Sequence, residues 1–131
     1  MSDAARAIAG KLRTALEQED EELFASLLDP AVRWGGEEET PETCHRREQV
    51  VARYHRLRES GVGVKVEETI CREGVAVLAL ALSLPRSGRS AELPPVVYQV
   101  FRIGGGLVVD IRGFPERAKA LALVDALDAD A

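Results

Sequence analysis

Two charged residues near the carboxyl end of the sequence, Asp110 and Arg112, are the first candidates for chemistry. They stand two positions apart in a run typical of a β-strand, so their side chains project from the same face of that strand. A carboxylate can take a proton from a substrate, and Arg112 or Tyr54 can stabilise the negative charge that then develops. The spacing predicts a catalytic pair in a pocket. The alternative is that Val109 and Ile111 face the pocket and the charged pair forms ordinary ion pairs outside it.

Four further residues are candidates for contact with a ligand, namely Trp34, Tyr54, Tyr98 and Gln99. Each combines a large or flat body with one polar group that can orient a bound molecule. Tyr98 and Gln99 are neighbours in a predicted strand, so only one of them can point into a given cavity. The alternative for each of the four is an ordinary place in the core.

The sequence has two histidines, His45 and His55, ten positions apart. His45 stands beside Cys44 and is a candidate for the mouth of a pocket, whereas His55 lies off the apolar stripe of its helix and is expected in solvent. No set of four metal ligands converges in the sequence, and the acids Glu37–Glu39 lack the alternating spacing of a calcium loop. We therefore expect neither a metal site nor a cofactor.

The first half of the chain is predicted to hold three helices and one short strand. Apolar residues recur at helical spacing over Ile8–Leu16, and again over Asp20–Leu28, where acids open the second helix and Pro30 ends it. Ala31–Trp34 is typical of a strand. A third helix is predicted over Arg47–Ser60, with Gly61 as its stop signal.

The second half is predicted to be mainly strands. Alternation is clear at Val62–Val66, whereas Val75–Leu82 is apolar throughout, which in an antiparallel sheet indicates that both faces of the strand are covered. Helices can cover one face, and we expect a second copy of the protein to cover the other. A polar loop follows at residues 85–95. Gly104–Gly106 is expected to be the turn of a β-hairpin instead of a phosphate loop, because a strand and not a helix follows it.

Length and composition bound the class of protein. The 131 residues fit one domain, 1–131, with 127–131 expected to form a disordered tail. A net charge of −5 without a lysine-rich stripe argues against nucleic-acid binding, and no apolar run approaches the length of a membrane span. Two cysteines without a metal or redox spacing, and no signal-like start, indicate a reduced, cytoplasmic setting.

Three segments carry a resemblance to a known superfamily: Phe24–Trp34, His45–Val51 and Gln99–Arg117. Together with the order of the predicted elements, they resemble the nuclear transport factor 2-like superfamily and, within it, the SnoaL-like proteins. The resemblance implies an α+β, cystatin-like cone in which a curved antiparallel sheet wraps around N-terminal helices and forms an apolar pocket. It also implies a frequent homodimer, and it leaves the function open, because this fold hosts many activities.

We therefore expect a SnoaL-like homodimer, packed through its sheet, that holds a small, mostly apolar molecule in the cone. One hypothesis adds acid–base chemistry of an isomerase, cyclase or hydrolase type. The rival is a binding or protein-association module without catalysis. The polarity of the cavity floor separates the two, since a buried acid beside a hydrogen-bond donor favours catalysis and an apolar floor favours binding.

Overall fold

The computed structural model describes residues 3–36, 38–72, 74–83 and 96–129. The elements follow one another as α1 (Asp3–Glu17), α2 (Glu21–Ser26), β1 (Leu28–Gly35), α3 (Arg47–Glu59), β2 (Gly63–Arg72), β3 (Val75–Ser83), β4 (Val96–Gly104), β5 (Leu107–Phe114) and α4 (Arg117–Ala129). The polar loop predicted at residues 85–95 lies outside the described residues.

The helix–strand boundary near Pro30 differs from the sequence expectation. Asp20 caps α2, with its carboxylate accepting the Leu23 N–H at 3.0 Å. The helix ends at Ser26, and Leu28 already belongs to β1, although its apolar spacing placed it in the helix. Pro30 is tolerated inside β1 because this strand lies at the edge of the sheet, where a missing N–H costs little.

The five strands form one sheet in the order β1-β5-β4-β3-β2. From β2 to β5, each strand pairs antiparallel with the next one in the sequence. In contrast, β1 pairs with β5 in parallel. The α+β class is confirmed, and the sheet is mixed instead of wholly antiparallel. The difference arises because a helix and three strands separate β1 from β5, and a connection of that length can bring two strands together in the same direction.

The β4–β5 hairpin is confirmed, with Gly104 paired to Leu107 across the turn. The two intervening residues, Gly105 and Gly106, have φ of 62° and 81°. Both lie in the left-handed region that two-residue hairpin turns require and that glycine adopts without strain.

A bulge in β2 changes which residues face the helices. The pairing of β2 with β3 shifts between Val66 and Glu68. Val66 is buried in the main core, and Cys71, five positions later, is partly buried against the same core, although strict alternation would put those two on opposite faces. One extra residue in the strand restores the inward direction, and such bulges also bend a sheet.

The main core lies between helices α1 to α3 and the inner face of the sheet, and its fully buried residues include Leu12, Val50, Leu78 and Phe101. A second, smaller cluster lies on the outer face, where α4 packs on the sheet. Its buried members are Val75, Val77, Val100, Phe114, Ala120 and Val124. This cluster corrects one expectation: at Val75 and Val77, α4 covers the face that the sequence analysis assigned to a second copy.

Helix α4 is also longer than expected. It runs to Ala129, so residues 127–129, which we expected in an irregular tail, are helical. Residues 130 and 131 lie outside the described part of the chain. None of the helices that the structure describes combines the length and apolar character that crossing a membrane demands.

Candidate functional site

An apolar cavity of about 190 Å³ lies between the inner face of the sheet and helices α1 to α3. Nine aliphatic or aromatic hydrocarbon side chains form most of its wall: Leu16, Phe24, Leu57, Val62, Val64, Leu80, Leu82, Val97 and Ile111. Four residues with polar groups complete it, namely Trp34, Tyr54, Arg58 and Gln99. Within the described ranges, no aspartate, glutamate or histidine lines this cavity.

Trp34 reaches the cavity from the edge strand β1. Its backbone pairs with Ile111 of β5 on one side and exchanges two hydrogen bonds with Cys44 on the other, at 3.0 and 2.8 Å. The Arg53 guanidinium lies 5.5 Å from the ring centroid, within range of a cation–π contact. These contacts hold Trp34 in the cavity wall, where the residue as a whole is partly exposed.

Tyr54 enters the cavity from the buried stripe of α3. Its ring centroid lies 4.7 Å from that of Phe24, and its hydroxyl donates a hydrogen bond to the carbonyl oxygen of Ala15 at 3.3 Å. Burial raises the pKa of this phenol, with nearby Arg58 acting in the opposite direction. The hydroxyl therefore stays neutral near pH 7, and its proton is already engaged within the protein.

Arg58 lines the same cavity and was not a candidate in the sequence analysis. Its Nη1 donates to Glu21 at 2.8 Å, and its Nε lies 3.5 Å from a carboxylate oxygen of Glu19. The guanidinium also lies 5.7 Å from the centroid of the Tyr54 ring. The sequence signal that would have found Arg58 is its position four residues after Tyr54, because residues four apart on a helix share a face.

Gln99 is the polar residue that the sheet contributes to the cavity. It lies on β4 with Val97 two positions before it, and both side chains line the cavity. The backbone of Gln99 is paired on both sides, with Leu78 of β3 and with Gly113 of β5. The side chain is half-buried. Because β4 is an interior strand of the sheet, its backbone pairing on both sides holds this residue in the cavity wall.

Asp110 and Arg112 do not line this cavity, which corrects the prediction of a catalytic pair inside it. Ile111 points inward, so its two neighbours on β5 point to the outer face, beneath α4. Asp110 accepts hydrogen bonds there from Arg33 at 3.3 Å and from Arg112 at 3.2 Å. The charged pair therefore forms ion pairs outside the cavity, as in the alternative interpretation, and these link β1 to β5. Of the two residues which that interpretation placed in the pocket, Ile111 lines it and Val109 does not.

Two other candidates also lie away from the cavity. Tyr98 packs on the outer face, against the cluster under α4, because its neighbour Gln99 takes the inward position. His45 is exposed, and its Nε2 lies 2.6 Å from Glu39. His55 is exposed as expected, with its pKa raised by a hydrogen bond to Glu21. No group of three or more potential metal ligands occurs among the residues whose structure is described.

Comparison with known proteins gives the fold. No protein-family model matches the chain, and no curated protein matches it either. Among solved structures, a candidate ketosteroid isomerase from Kribbella flavida has a TM-score of 0.71 and 21% identity, covering 86% of this chain and 78% of its own. A nuclear transport factor 2-like protein of unknown function from Mesorhizobium loti has a TM-score of 0.69 and 14% identity, covering 86% and 91%.

An LEH-like epoxide hydrolase of M. tuberculosis matches over more of the chain, covering 99% of it and 98% of its own length, with a TM-score of 0.64 and 16% identity. At these identities the likeness establishes architecture. The chain has the nuclear transport factor 2-like fold, as its sequence resemblance implied. Its activity has to be argued from its own cavity.

Proposed function

We propose that this protein binds a small, mostly apolar molecule in the cavity and performs no acid–base catalysis on it with its own side chains. The observation that carries the proposal is the composition of the wall. Nine hydrocarbon side chains surround the space, and the described part of the wall holds no carboxylate or imidazole to move a proton. Asp110, the expected base, faces the other side of the sheet.

The size of the cavity limits the ligand. An apolar cavity of about 150 Å³ holds benzene, and this one measures about 190 Å³. It therefore fits a single ring with one or two further atoms, or a branched aliphatic molecule of that size.

A cavity-filling variant tests the proposal with toluene as the ligand. Val97 lines the cavity, whereas its neighbour Val96 is half-buried and points to the other face of β4. Toluene should bind the parent protein with a Kd on the order of 0.1–1 mM, because few atoms contribute and association itself costs free energy. Val97→Phe should weaken binding at least about tenfold by occupying the space.

The matched control is Val96→Phe, which adds the same ring outside the cavity and should leave the Kd for toluene within about twofold of the parent value. Binding is measured by calorimetry and by the change in NMR signals of the cavity residues. Toluene that fails to bind the folded parent protein, or that binds both variants equally, would overturn the proposal.

We also propose that the protein acts in the cytoplasm. Cys44 is buried and Cys71 is half-buried, and both are free thiols, which supports a reducing compartment. Fractionation of cells that express the tagged protein checks this, and recovery of the protein outside the cytosolic fraction would contradict it.

A further inference from the structure

The side-chain amide of Gln99 is a polar group of the cavity wall that the described residues leave available, and unlike the indole N–H of Trp34 it offers an acceptor as well as donors. Its side chain is half-buried in the cavity wall. Among the described residues, no hydrogen bond to this side chain is formed. A carboxamide offers two N–H donors and a carbonyl acceptor, and a polar group next to apolar walls gains from any partner that enters.

The Tyr54 hydroxyl and the Nη1 of Arg58 are engaged within the protein, whereas the buried Nε of Arg58 has no hydrogen-bond partner among the described residues. The Tyr54 hydroxyl donates to Ala15 at 3.3 Å. The charge of Arg58 faces two carboxylates, those of Glu19 and Glu21, at 3.5 and 2.8 Å. A ligand that approached the Tyr54 hydroxyl or the Nη1 of Arg58 would compete with a bond inside the protein, whereas Gln99 requires no such exchange.

Resting on the proposed function, we infer that Gln99 orients the ligand and that the cavity selects molecules with a hydroxyl, carbonyl or amide group over hydrocarbons of the same size. The ring or alkyl part of such a molecule fills the apolar space. Its polar group meets the amide of Gln99 at the wall that β4 provides. The ligand class is therefore that of small phenols, alcohols and carbonyl compounds.

The selectivity follows from the cost of an unmade hydrogen bond. A hydrocarbon in the cavity would separate the Gln99 amide from water and offer it no partner, while phenol restores the lost bond. Sites that hydrogen-bond a substrate group reject the analogue that lacks it more strongly than apolar pockets reject a change of size. We expect phenol to bind about tenfold more tightly than toluene, which has the same number of non-hydrogen atoms.

The experiment compares the dissociation constants of phenol and toluene for the full chain and for Gln99→Leu, by NMR titration. In Gln99→Leu, phenol should lose about tenfold in affinity while toluene binds as well as before or better. Gln99→Met, with an unbranched side chain of similar length, should give the same loss of selectivity and guards against a fold defect in the leucine variant. Gln18→Leu is the control, because Gln18 is exposed at the end of α1.

The outcomes separate this inference from the proposal on which it rests. If toluene binds as tightly as phenol and Gln99→Leu changes neither constant, the role of Gln99 is wrong and the cavity still binds apolar molecules. If neither compound binds the parent protein, the proposed function itself fails, and this inference fails with it.

Discussion

Trp34 is the residue through which occupancy of the cavity can be observed. Its indole forms part of the cavity wall, and the guanidinium of Arg53 lies 5.5 Å from its ring centroid. It is the only tryptophan of the sequence, so its emission reports this position alone.

The first prediction is that Trp34 emits at a shorter wavelength than a tryptophan in water, because its ring is partly removed from solvent. Iodide should quench it several-fold less than in the urea-unfolded chain, and toluene should change its emission. Since Arg53 attracts anions, neutral acrylamide serves as the control quencher. Emission at the wavelength of free tryptophan, with full quenching by both compounds, would contradict the placement of Trp34.

Residue types predicted part of this cavity and missed the rest for identifiable reasons. Trp34, Tyr54 and Gln99 were candidates because a large body with one polar group suits a cavity wall, and all three lie there. Asp110 was misplaced because a period of two shows which residues share a face and not which face lies inside. Arg58 was missed because an arginine on a helix is typical of a solvated surface, although it lies four positions after Tyr54 and pairs with Glu19 and Glu21 beside the cavity.

At the level of elements, Glu17 connects the end of α1 to the bulged strand β2. Its carboxylate accepts the backbone N–H of Val66 at 2.8 Å, immediately before the shift in strand pairing, and also lies 3.3 Å from Arg13. The bond from Val66 is the main cause that lowers the pKa of Glu17. A bulge disrupts the regular ladder of hydrogen bonds, and this carboxylate provides a partner at that place.

The second prediction concerns this bond. Glu17→Ala should destabilise the protein by about 1–2 kcal/mol near neutral pH, because it removes a charged acceptor from a partly buried N–H. A lowered folded-state pKa means that the stabilisation is present above the unfolded pKa and is lost as pH falls through the folded pKa. Urea unfolding at a series of acidic pH values should therefore show the difference between variant and parent shrinking.

Glu17→Gln is the matched variant, since it keeps an acceptor oxygen without the charge. Glu17→Gln should retain part of the stability that Glu17→Ala loses, and its contribution should no longer depend on pH, because the amide does not titrate. A stability difference for Glu17→Ala that is the same at neutral pH and at pH values below the folded pKa would show that the carboxylate acts through packing alone.

The helices and strands were largely predictable from the sequence. The features that were not predicted depend on contacts between residues distant in the sequence. Helical spacing and the glycine turn gave α1, α3 and the β4–β5 hairpin. The bulge at Val66 and the parallel pairing of β1 with β5 depend on partners distant in sequence, for which local periodicity carries no signal. The early start of β1 at Leu28 has the same origin, because Leu28 pairs with Val108.

For the whole molecule, the outer face of the sheet decides self-association. Helix α4 covers the part around Val77 and Val100. Ala79 is already buried within one chain, so a charge placed there would disturb the fold as well as any interface. The strip that contains Ala81 and Val96, which pair with each other, is half-buried.

The third prediction is a homodimer whose contact is centred on that strip, because its apolar side chains gain from being covered. Sedimentation equilibrium at micromolar concentrations should give twice the chain mass of 14.2 kDa. Ala81→Glu should shift the protein toward the monomer, and Ala52→Glu, at an exposed position of α3, should not. A parent protein that sediments only as a monomer would show that α4 completes the outer face by itself.

The parallel pairing of β1 with β5 has a consequence for how the chain is made. Leu28 emerges from the ribosome about 80 residues before its partner Val108. At about 5–20 residues per second, β1 waits roughly 4–16 s for the strand that holds it. During that time the nascent helices expose the apolar faces that later enclose the cavity. We therefore expect this protein to reach its native state only after synthesis has passed β5, and to engage chaperones that bind apolar segments until then.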